Sequence, residues 1–286
     1  MNIPFDVLKI VSSYLVKPKM KLLDWIHSDK LEWSFLSFNP NAIDMLEKNI
    51  DKIEWINLSK NPNGIHLLEK NIDKIYWWYT LSENPNAINL LNKNINKIHW
   101  SGLSYNSNAI ELLKKNMNKI DWASLSFNPS AISLLEENID KINWRFISTN
   151  PNAIYLLENN IDKIQWSGLS ANPNAIHLLE KNIDKIDWQC LSSNSNAICL
   201  LQENIDKIDW HSLSLNPNAI YLLEQNMDKI DWLYLSFNPN AIYLLEKNID
   251  KIDWYNLSAN PNIFEIDKNQ LKLDIAEKAK IIDDIN

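Results

Sequence analysis

The chain has 286 residues, of which 45% are hydrophobic, so it carries enough apolar surface for a substantial core. The formal net charge is −8 and Arg145 is the single arginine, which disfavours nucleic acid and anionic membranes as partners because both require a basic face. Two cysteines cannot form a disulfide framework, no apolar run is long enough to span a membrane, and no signal peptide is recognisable. We therefore expect a soluble, cytoplasmic protein.

Residues 1–30 differ from the rest of the chain. The stretch from Ile3 to Leu15 (IPFDVLKIVSSYL) resembles the first helix of an F-box, which opens on Leu-Pro and an acidic residue and ends near Tyr-Leu. Later F-box features, such as a Val-Cys pair before a Trp, are missing. The resemblance implies docking to a Skp1-type adaptor of a ubiquitin ligase through Ile3, Pro4, Leu8, Ile10, Val11, Tyr14 and Leu15. The alternative is an N-terminal cap that shields the first repeat from water.

Residues 31–262 are tandem repeats of 22 residues. The motif Asn-Pro-Asn-Ala-Ile-x-Leu-Leu-Glu-Lys-Asn-Ile-Asp-Lys-Ile-Asp-Trp-x-x-Leu-Ser-x recurs with little drift, and one residue is inserted beside Trp77. Such strict self-similarity is typical of solenoids, in which each unit can bury its apolar face only against its neighbours. The repeated tryptophans are Trp33, Trp55, Trp78, Trp100, Trp122, Trp144, Trp166, Trp188, Trp210, Trp232 and Trp254.

Each unit is predicted to form a helix, a turn and a second, shorter helix. In one unit Asn172 is a suitable N-cap and Pro173 a suitable first helical residue. Asn182 is predicted to end the helix in the left-handed conformation, in place of the glycine that most helices use. Asp187 is predicted to cap the short helix that begins at Trp188.

These elements predict an all-α, right-handed solenoid of about ten units, whose alternating short helices resemble those of the leucine-rich-repeat-variant type. A leucine-rich-repeat-like solenoid is the alternative, because Leu-Ser-x-Asn also recurs every 22 residues. A strand there would need an inward apolar residue two positions before the Leu, where the sequence offers Ser101, Gln189 and His211. Residues 263–286 keep a helical apolar pattern with many charges, which suits a C-terminal cap.

The invariant positions of the repeat are interpreted as architecture. The tryptophans are expected in the core and the asparagines near the end of each first helix are expected to satisfy backbone groups. The repeated lysines lie among aspartates and are expected to form a solvated stripe.

Information about a partner has to lie where the units differ. The residue after Ala-Ile varies most and is expected to be exposed. The two residues that follow each Trp vary as well. The residue before each Asn-Pro also varies and includes Phe38, Tyr105, Phe127 and Phe237. Aromatic and basic residues there are candidate anchors for a protein partner, and neutral drift is the alternative. The candidate partner-binding residues are His66, Tyr155, His177, Tyr221, Tyr243, Arg145, Phe146 and Tyr234.

Catalysis has no support in the sequence, and no cofactor or metal is expected. The five histidines form no metal-ligand motif, neither cysteine lies in a C-x-x-C motif, and there is no glycine-rich phosphate loop. We expect a non-enzymatic protein–protein interaction scaffold, and the F-box resemblance implies a substrate-recruiting adaptor. The alternative is a structural or self-assembling repeat protein. The Asn/Ile/Lys-rich repeats resemble repeat proteins of giant viruses that infect amoebae, which implies work in a host cytoplasm.

Overall fold

The computed structural model describes Val7, Ile10 and residues 14–77 and 79–285, with side chains as far as residue 282. Within these residues the protein is an all-α solenoid, as predicted, and its two strands have three residues each. The leucine-rich-repeat-like alternative is wrong, because the Leu-Ser segment of every unit lies in or directly follows a helix. Among the candidate adaptor-binding residues, Ile3, Pro4, Leu8 and Val11 lie outside the described part of the chain.

Counted from the repeated tryptophan, each unit opens with a helix that begins at this residue, or at Tyr79 in the unit with the insertion, and we call it the Trp helix. The N-cap carboxylate starts it, as predicted: Asp187 Oδ1 accepts the amide hydrogen of Cys190 at 3.0 Å. The Trp helices are Trp33–Phe38, Trp55–Lys60, Tyr79–Glu83, Trp100–Tyr105, Trp122–Phe127, Trp144–Ile147, Trp166–Ala171, Trp188–Ser192, Trp210–Leu215, Trp232–Phe237 and Trp254–Leu257.

The second helix of each unit follows Asn-Pro-Asn-Ala, and we call it the Leu helix for its buried Leu-Leu pair. In four units the Asn-Pro turn is itself a 3₁₀-helix: Pro85–Ala87, Pro129–Ala131, Pro239–Ala241 and Pro261–Ile263. The Leu helices are Ile43–Glu47, Ile65–Lys70, Ile88–Asn92, Ile110–Lys114, Ile132–Glu136, Ile154–Glu158, Ile176–Glu180, Ile198–Gln202, Ile220–Glu224 and Ile242–Lys247.

A short 3₁₀-turn then leads to the next Trp helix. Asn182 stands at this junction, but the predicted left-handed conformation is wrong: its φ is −139° and no described residue has a positive φ. The helix ends because Asn182 Nδ2 donates to the carbonyl of Leu178 at 2.9 Å, a backbone contact of the kind expected. The turns are Ser28–Lys30, Ile50–Lys52, Ile72–Lys74, Ile95–Lys97, Met117–Lys119, Ile139–Lys141, Ile161–Lys163, Ile183–Lys185, Ile205–Lys207, Met227–Lys229 and Ile249–Lys251.

A ladder of buried asparagines joins successive units. Asn128 is fully buried; its Nδ2 donates to the carbonyls of Ser104 and Asn106 in the preceding unit at 3.0 and 2.9 Å. Its Oδ1 accepts the amide hydrogen of Ser130 at 2.9 Å, which starts its own next helix. The same contacts with the preceding unit recur at Asn61, Asn84, Asn106, Asn150, Asn172, Asn194, Asn216, Asn238 and Asn260.

The ladder does not stop at the ends of the repeat array: the solenoid closes into a ring. Asn39, in the first unit, donates to the carbonyls of Ser258 and Asn260 in the last unit at 3.0 and 2.9 Å. The amide of Glu32 donates to the hydroxyl of Ser258 at 2.8 Å, and the equivalent amide donates to the serine of the preceding unit in nine of the ten later units. The last unit therefore takes the place of the missing neighbour of the first.

The eleventh unit is built from both ends of the chain. After Trp254–Leu257 and its Asn-Pro turn, strand β2 (Phe264–Ile266) pairs antiparallel with strand β1 (Met20–Leu22). Residues 23–32 then supply the missing turn, and Lys30 covers the Trp254 ring at 4.8 Å, as each later lysine covers the tryptophan of its own unit. We call this junction the seam. The final helix, Lys268–Ile285, follows β2 and contacts the seam through an ion pair between Asp274 and Lys19.

The Trp helices form the inner circle of the ring. Neighbouring Trp helices approach closely, and a Cβ atom added to Gly102 would lie 2.7 Å from the carbonyl of Tyr79 in the preceding unit. Neighbouring Leu helices are farther apart, so in a closed ring they must lie outside. The ring thus has an inner wall of Trp helices, an outer wall of Leu helices, a turn face with the 3₁₀-turns and an Asn-Pro face.

Ring closure predicts that removing a ladder asparagine at the seam lowers the free energy of unfolding as much as removing one elsewhere in the ring. We expect Asn128→Ala to lower the free energy of unfolding by about 2–4 kcal/mol, because two buried carbonyls lose their donor. Asn39→Ala should have an equal effect, and the exposed Asn92→Ala almost none. Urea denaturation followed by tryptophan fluorescence measures all three. An Asn39→Ala variant as stable as wild type would contradict the closed ring.

Candidate binding surface on the inner wall

Three positions of each Trp helix build the inner wall: the first, second and fifth residues after the tryptophan. The third and fourth, Leu and Ser in most units, are buried against the Leu helix, so the other three turn away from the core. The first and fifth residues are one helical turn apart and face the opening together. The second packs towards the preceding unit, where Asn57 Nδ2 reaches the carbonyl of Ser34 at 2.9 Å.

We number the units 1 to 11 from the one that begins at Trp33, so units 4, 5 and 6 begin at Trp100, Trp122 and Trp144. These three units place a continuous aromatic patch on the inner wall, which we call the first arc. The Tyr105 and Phe127 ring centroids are 5.8 Å apart, and the Phe127 and Phe146 rings are stacked at 4.3 Å. Arg145, which is exposed, stands beside Phe146. The patch combines flat apolar surface with one guanidinium group, and residues of these types dominate the energetics of protein interfaces.

A second arc lies across the seam, in units 9, 10, 11 and 1. The Phe35 and Tyr255 ring centroids are 4.1 Å apart, and those of His211 and Tyr234 are 3.9 Å apart in an edge-on arrangement. His211 Nδ1 also lies 2.7 Å from an Asp231 carboxylate oxygen. Exposed Leu233, Phe38 and Phe237 extend the apolar surface of this arc.

Small and polar residues separate the two arcs in units 7 and 8. Ser167, Gly168 and Ala171 line unit 7, and Gln189, Cys190 and Ser193 line unit 8. Gly168 allows close approach of its neighbour, since an added Cβ would lie 3.1 Å from the carbonyl of Arg145. The side chains of the inner wall therefore differ from unit to unit around the ring, although the backbone repeats.

Few charged groups reach the inner wall. At its three positions the described residues include Lys60, Glu83, Arg145 and the ionisable His211. Burial, together with a hydrogen bond to Glu83, raises the pKa of the Tyr79 phenol to about 12. Tyr79 is neutral at physiological pH, and most side chains of the wall carry no charge.

The predicted partner-binding residues do not form one surface. Arg145, Phe146 and Tyr234 lie on the inner wall, whereas His66, Tyr155, His177, Tyr221 and Tyr243 lie on the outer wall. The outer tyrosines are exposed, as expected, by 72% at Tyr155, 61% at Tyr221 and 55% at Tyr243. No ring contact joins these three tyrosines, so each stands separately.

The outer-wall histidines and one tyrosine contact charged neighbours on the Leu helices. His66 Nε2 lies 2.6 Å from a Glu47 carboxylate oxygen in the preceding unit, and His177 Nε2 lies 3.0 Å from Glu158. Lys247 covers the Tyr243 ring with its ammonium group 3.9 Å from the centroid. These contacts join units or cover an aromatic ring, so exposed residues of the outer wall are partly engaged within the chain.

Phe35 and Tyr255, which meet across the seam, were not among the predicted residues. Tyr105 and Phe127 belonged to a variable position but were not selected as anchors. The spacing of four residues between the first and fifth positions after Trp could have revealed Tyr105 and Phe127, because those positions share a helix face. The pairing across the seam depends on ring closure, for which residues 35 and 255 give no local signal.

The repeated tryptophans and lysines form a second ladder, on the turn face. The lysines are exposed, as expected, but each ammonium group also lies 4.4 to 5.0 Å from a tryptophan ring centroid, within the range of a cation–π contact that was not predicted. In the unit with the insertion, Trp77 takes the ladder position and lies under Lys97, although the sequence pattern assigned it to Trp78. The tryptophans are half-buried and pack on the core, as expected.

Within the described residues no helix is long and apolar enough to cross a membrane, and no group of three potential ligands could hold a metal ion. Comparison with protein-family models, with curated protein sequences and with solved structures finds no match to this chain. The geometry of the ring is therefore the basis on which a function can be proposed.

The two cysteines provide a test of the two walls, because Cys190 lies on the inner wall and Cys199 on the outer wall. Burial raises the pKa of the Cys190 thiol, and Asp187 raises it further. A smaller fraction of this thiol is therefore in the reactive thiolate form near neutral pH. Cys199 is exposed. We expect Cys199 to react several-fold faster with a thiol reagent at pH 8, measured on Cys190→Ser and Cys199→Ser variants. Equal rates would contradict this placement.

Proposed function

We propose that this protein is a non-enzymatic ring that binds a polypeptide segment against its inner wall. The observation that carries the proposal is the continuous aromatic first arc, Tyr105, Phe127 and Phe146, beside the single arginine of the chain. These side chains lie on short helices held by a repeated hydrogen-bond ladder. Rigid aromatic anchors lose little conformational entropy when a partner binds.

The size of the opening supports a polypeptide partner. Eleven helices spaced about 8–10 Å apart form a circle about 30 Å across between opposite axes. Subtracting the radius of a helix with its side chains on both sides leaves an opening of about 20 Å. An α-helix is about 10–12 Å wide, so one helix or an extended chain can lie against one arc without filling the opening.

The low charge of the wall supports the same class of partner. A nucleic-acid strand requires basic side chains along its path, and the first, second and fifth positions hold only Lys60 and Arg145 as fixed positive charges. Aromatic side chains with hydroxyl and amide neighbours suit the mixed apolar and polar surface of a peptide. We propose the first arc as the principal contact.

The proposal is tested by selecting binders from a display library of random peptides on the immobilised protein. The inner-wall variant is Phe127→Ser with Phe146→Ser, and the outer-wall control is Tyr155→Ser with Tyr221→Ser. Serine is native at the matching positions of other units, namely Ser193, Ser124 and Ser133, so both variants keep the fold. We expect the inner-wall variant to bind selected peptides at least about tenfold more weakly, and the control to bind them unchanged.

The reverse result, with weaker binding only in the outer-wall variant, would overturn the proposal and assign recognition to Tyr155 and Tyr221. A library that yields no binder to either wall would also overturn it. Circular dichroism and the urea midpoint confirm that each variant is folded before binding is measured.

On the basis of the N-terminal F-box resemblance, we also propose that the ring recruits a substrate for a ubiquitin ligase. Of the candidate adaptor-binding residues, Ile10, Tyr14 and Leu15 are described and exposed. On the basis of the giant-virus resemblance, we propose that this recruitment takes place in the cytoplasm of a host cell. A Skp1-type adaptor would then bind residues 1–15 while the inner wall holds the target.

The design of that test depends on the seam. Residues 19–32 hold the ring closed through β1 and through the Glu32 contact with Ser258, so removing residues 1–30 would also open the ring. Deleting residues 2–15 leaves these contacts intact. We expect the full chain to bind a purified Skp1-type adaptor and the deletion variant not to bind it, measured by calorimetry. Absence of binding by the full chain would remove the adaptor role.

A further inference from the structure

The turn face carries an apolar position that is repeated around the ring. The first residue of each turn is Ile or Met in ten units, and eight of these side chains are 38 to 52% exposed. By contrast, the outer-wall residue that follows Ala-Ile in each unit varies among Asp, His, Asn, Glu, Ser, Tyr and Cys. The exposed members are Ile72, Ile95, Met117, Ile139, Ile161, Ile183, Ile205 and Ile249, and Ile50 and Met227 are half-buried.

Unpaired charges of both signs accompany this apolar ring. In the turn Ile139–Lys141, Asp140 is exposed and forms no ion pair within the described residues, and Lys141 contacts only the Trp122 ring and the Asn138 amide. The same Asp-Lys order recurs in most turns, with Asn in place of Asp at residues 96 and 118. The cation–π contact holds each ammonium group at a defined place, so the charges are already positioned for a partner.

We infer that the turn face binds a second copy of this chain, face to face, to form a dimer of stacked rings. A two-fold axis in the interface makes the two rings run in opposite directions. The repeated Ile side chains of the two faces can then pack together, and each face offers both Asp and Lys side chains to the charges of the other. A second copy is the partner whose pattern of apolar and charged groups matches this face unit by unit.

The extent of the face agrees with a stable interface. A standard interface uses roughly 20–30 residues from each partner. The ten intact turns supply thirty residues, three from each, at matched spacing around the ring. The interface would also bury the tryptophan–lysine ladder that lies beside the turns.

Stacking is expected to stop at two copies. The Asn-Pro face is polar, and its exposed asparagines already donate to the preceding unit, as Asn63 Nδ2 does to the carbonyl of Pro40 at 2.9 Å. Since one face carries the repeated apolar side chains and the other does not, the interface is self-complementary and closed rather than filament-forming.

The test is the mass of the protein in solution, measured by light scattering and sedimentation velocity over a range of micromolar concentrations. We expect twice the chain mass of 33.4 kDa for wild type. Replacing Ile139, Ile161, Ile183 and Ile205 by serine should give the single chain mass. These turns lie across the ring from the seam, and serine is native at the matching Ser28, so the variant keeps the fold.

Two controls separate this inference from the proposed function. Tyr155→Ser with Tyr221→Ser should remain dimeric, and so should Phe127→Ser with Phe146→Ser, whereas the turn-face variant should still bind selected peptides. A monomeric wild-type protein at all concentrations would overturn the inference. So would a dimer that survives the four turn-face substitutions, or a series of higher oligomers.

Discussion

The whole ring depends on one interaction, the pair of hydrogen bonds from a buried asparagine amide to two carbonyls of the preceding unit. Leucines and isoleucines supply the apolar area, but they would tolerate a range of distances and rotations between units. The asparagine does not, because its amide hydrogens and its oxygen must all find partners once the side chain is fully buried, as at Asn128. The same relation between neighbours, applied eleven times, returns the chain to its start.

Closure changes what the ends of the chain do. An open solenoid needs caps with polar outer surfaces, because its terminal units expose apolar faces. In this protein Ile26 and Phe264 are buried in the same core, although both lie outside the tandem repeats. The seam repeats the interior contacts through Asn39 and Ser258, so first and last units are no longer ends, and residues 19–32 act as part of a repeat rather than as a separate element.

Much of this fold could be predicted from the sequence, because each unit obeys local rules. Asp187 caps the helix that was expected, and the Asn182 side chain does satisfy a backbone group. Asn172 was wrongly expected to cap a helix: its side chain accepts the amide hydrogen of Asn174 in the turn, and the helix begins only at Ile176. Closure could not be predicted, since it depends on the accumulated rotation of eleven units, to which each adds a small angle that no residue encodes alone. The lysine contacts were misjudged because Asp140 lies beside Lys141 in sequence whereas the Trp122 ring lies beneath it in space.

The division of the candidate residues between two walls follows from the same geometry. Sequence variability indicates that a position is not required for the fold, but it does not indicate the direction of the side chain. Phe146 and Tyr155 are nine residues apart and vary equally, yet one faces the opening and the other faces outward, because they lie on helices of opposite sides of one unit. In a closed ring the inner-wall residues of units on opposite sides of the opening, such as Phe127 and Tyr255, can face a common ligand, whereas outer-wall residues of such units cannot. Aromatic residues that vary on the inner wall therefore carry more functional weight than equally variable residues outside.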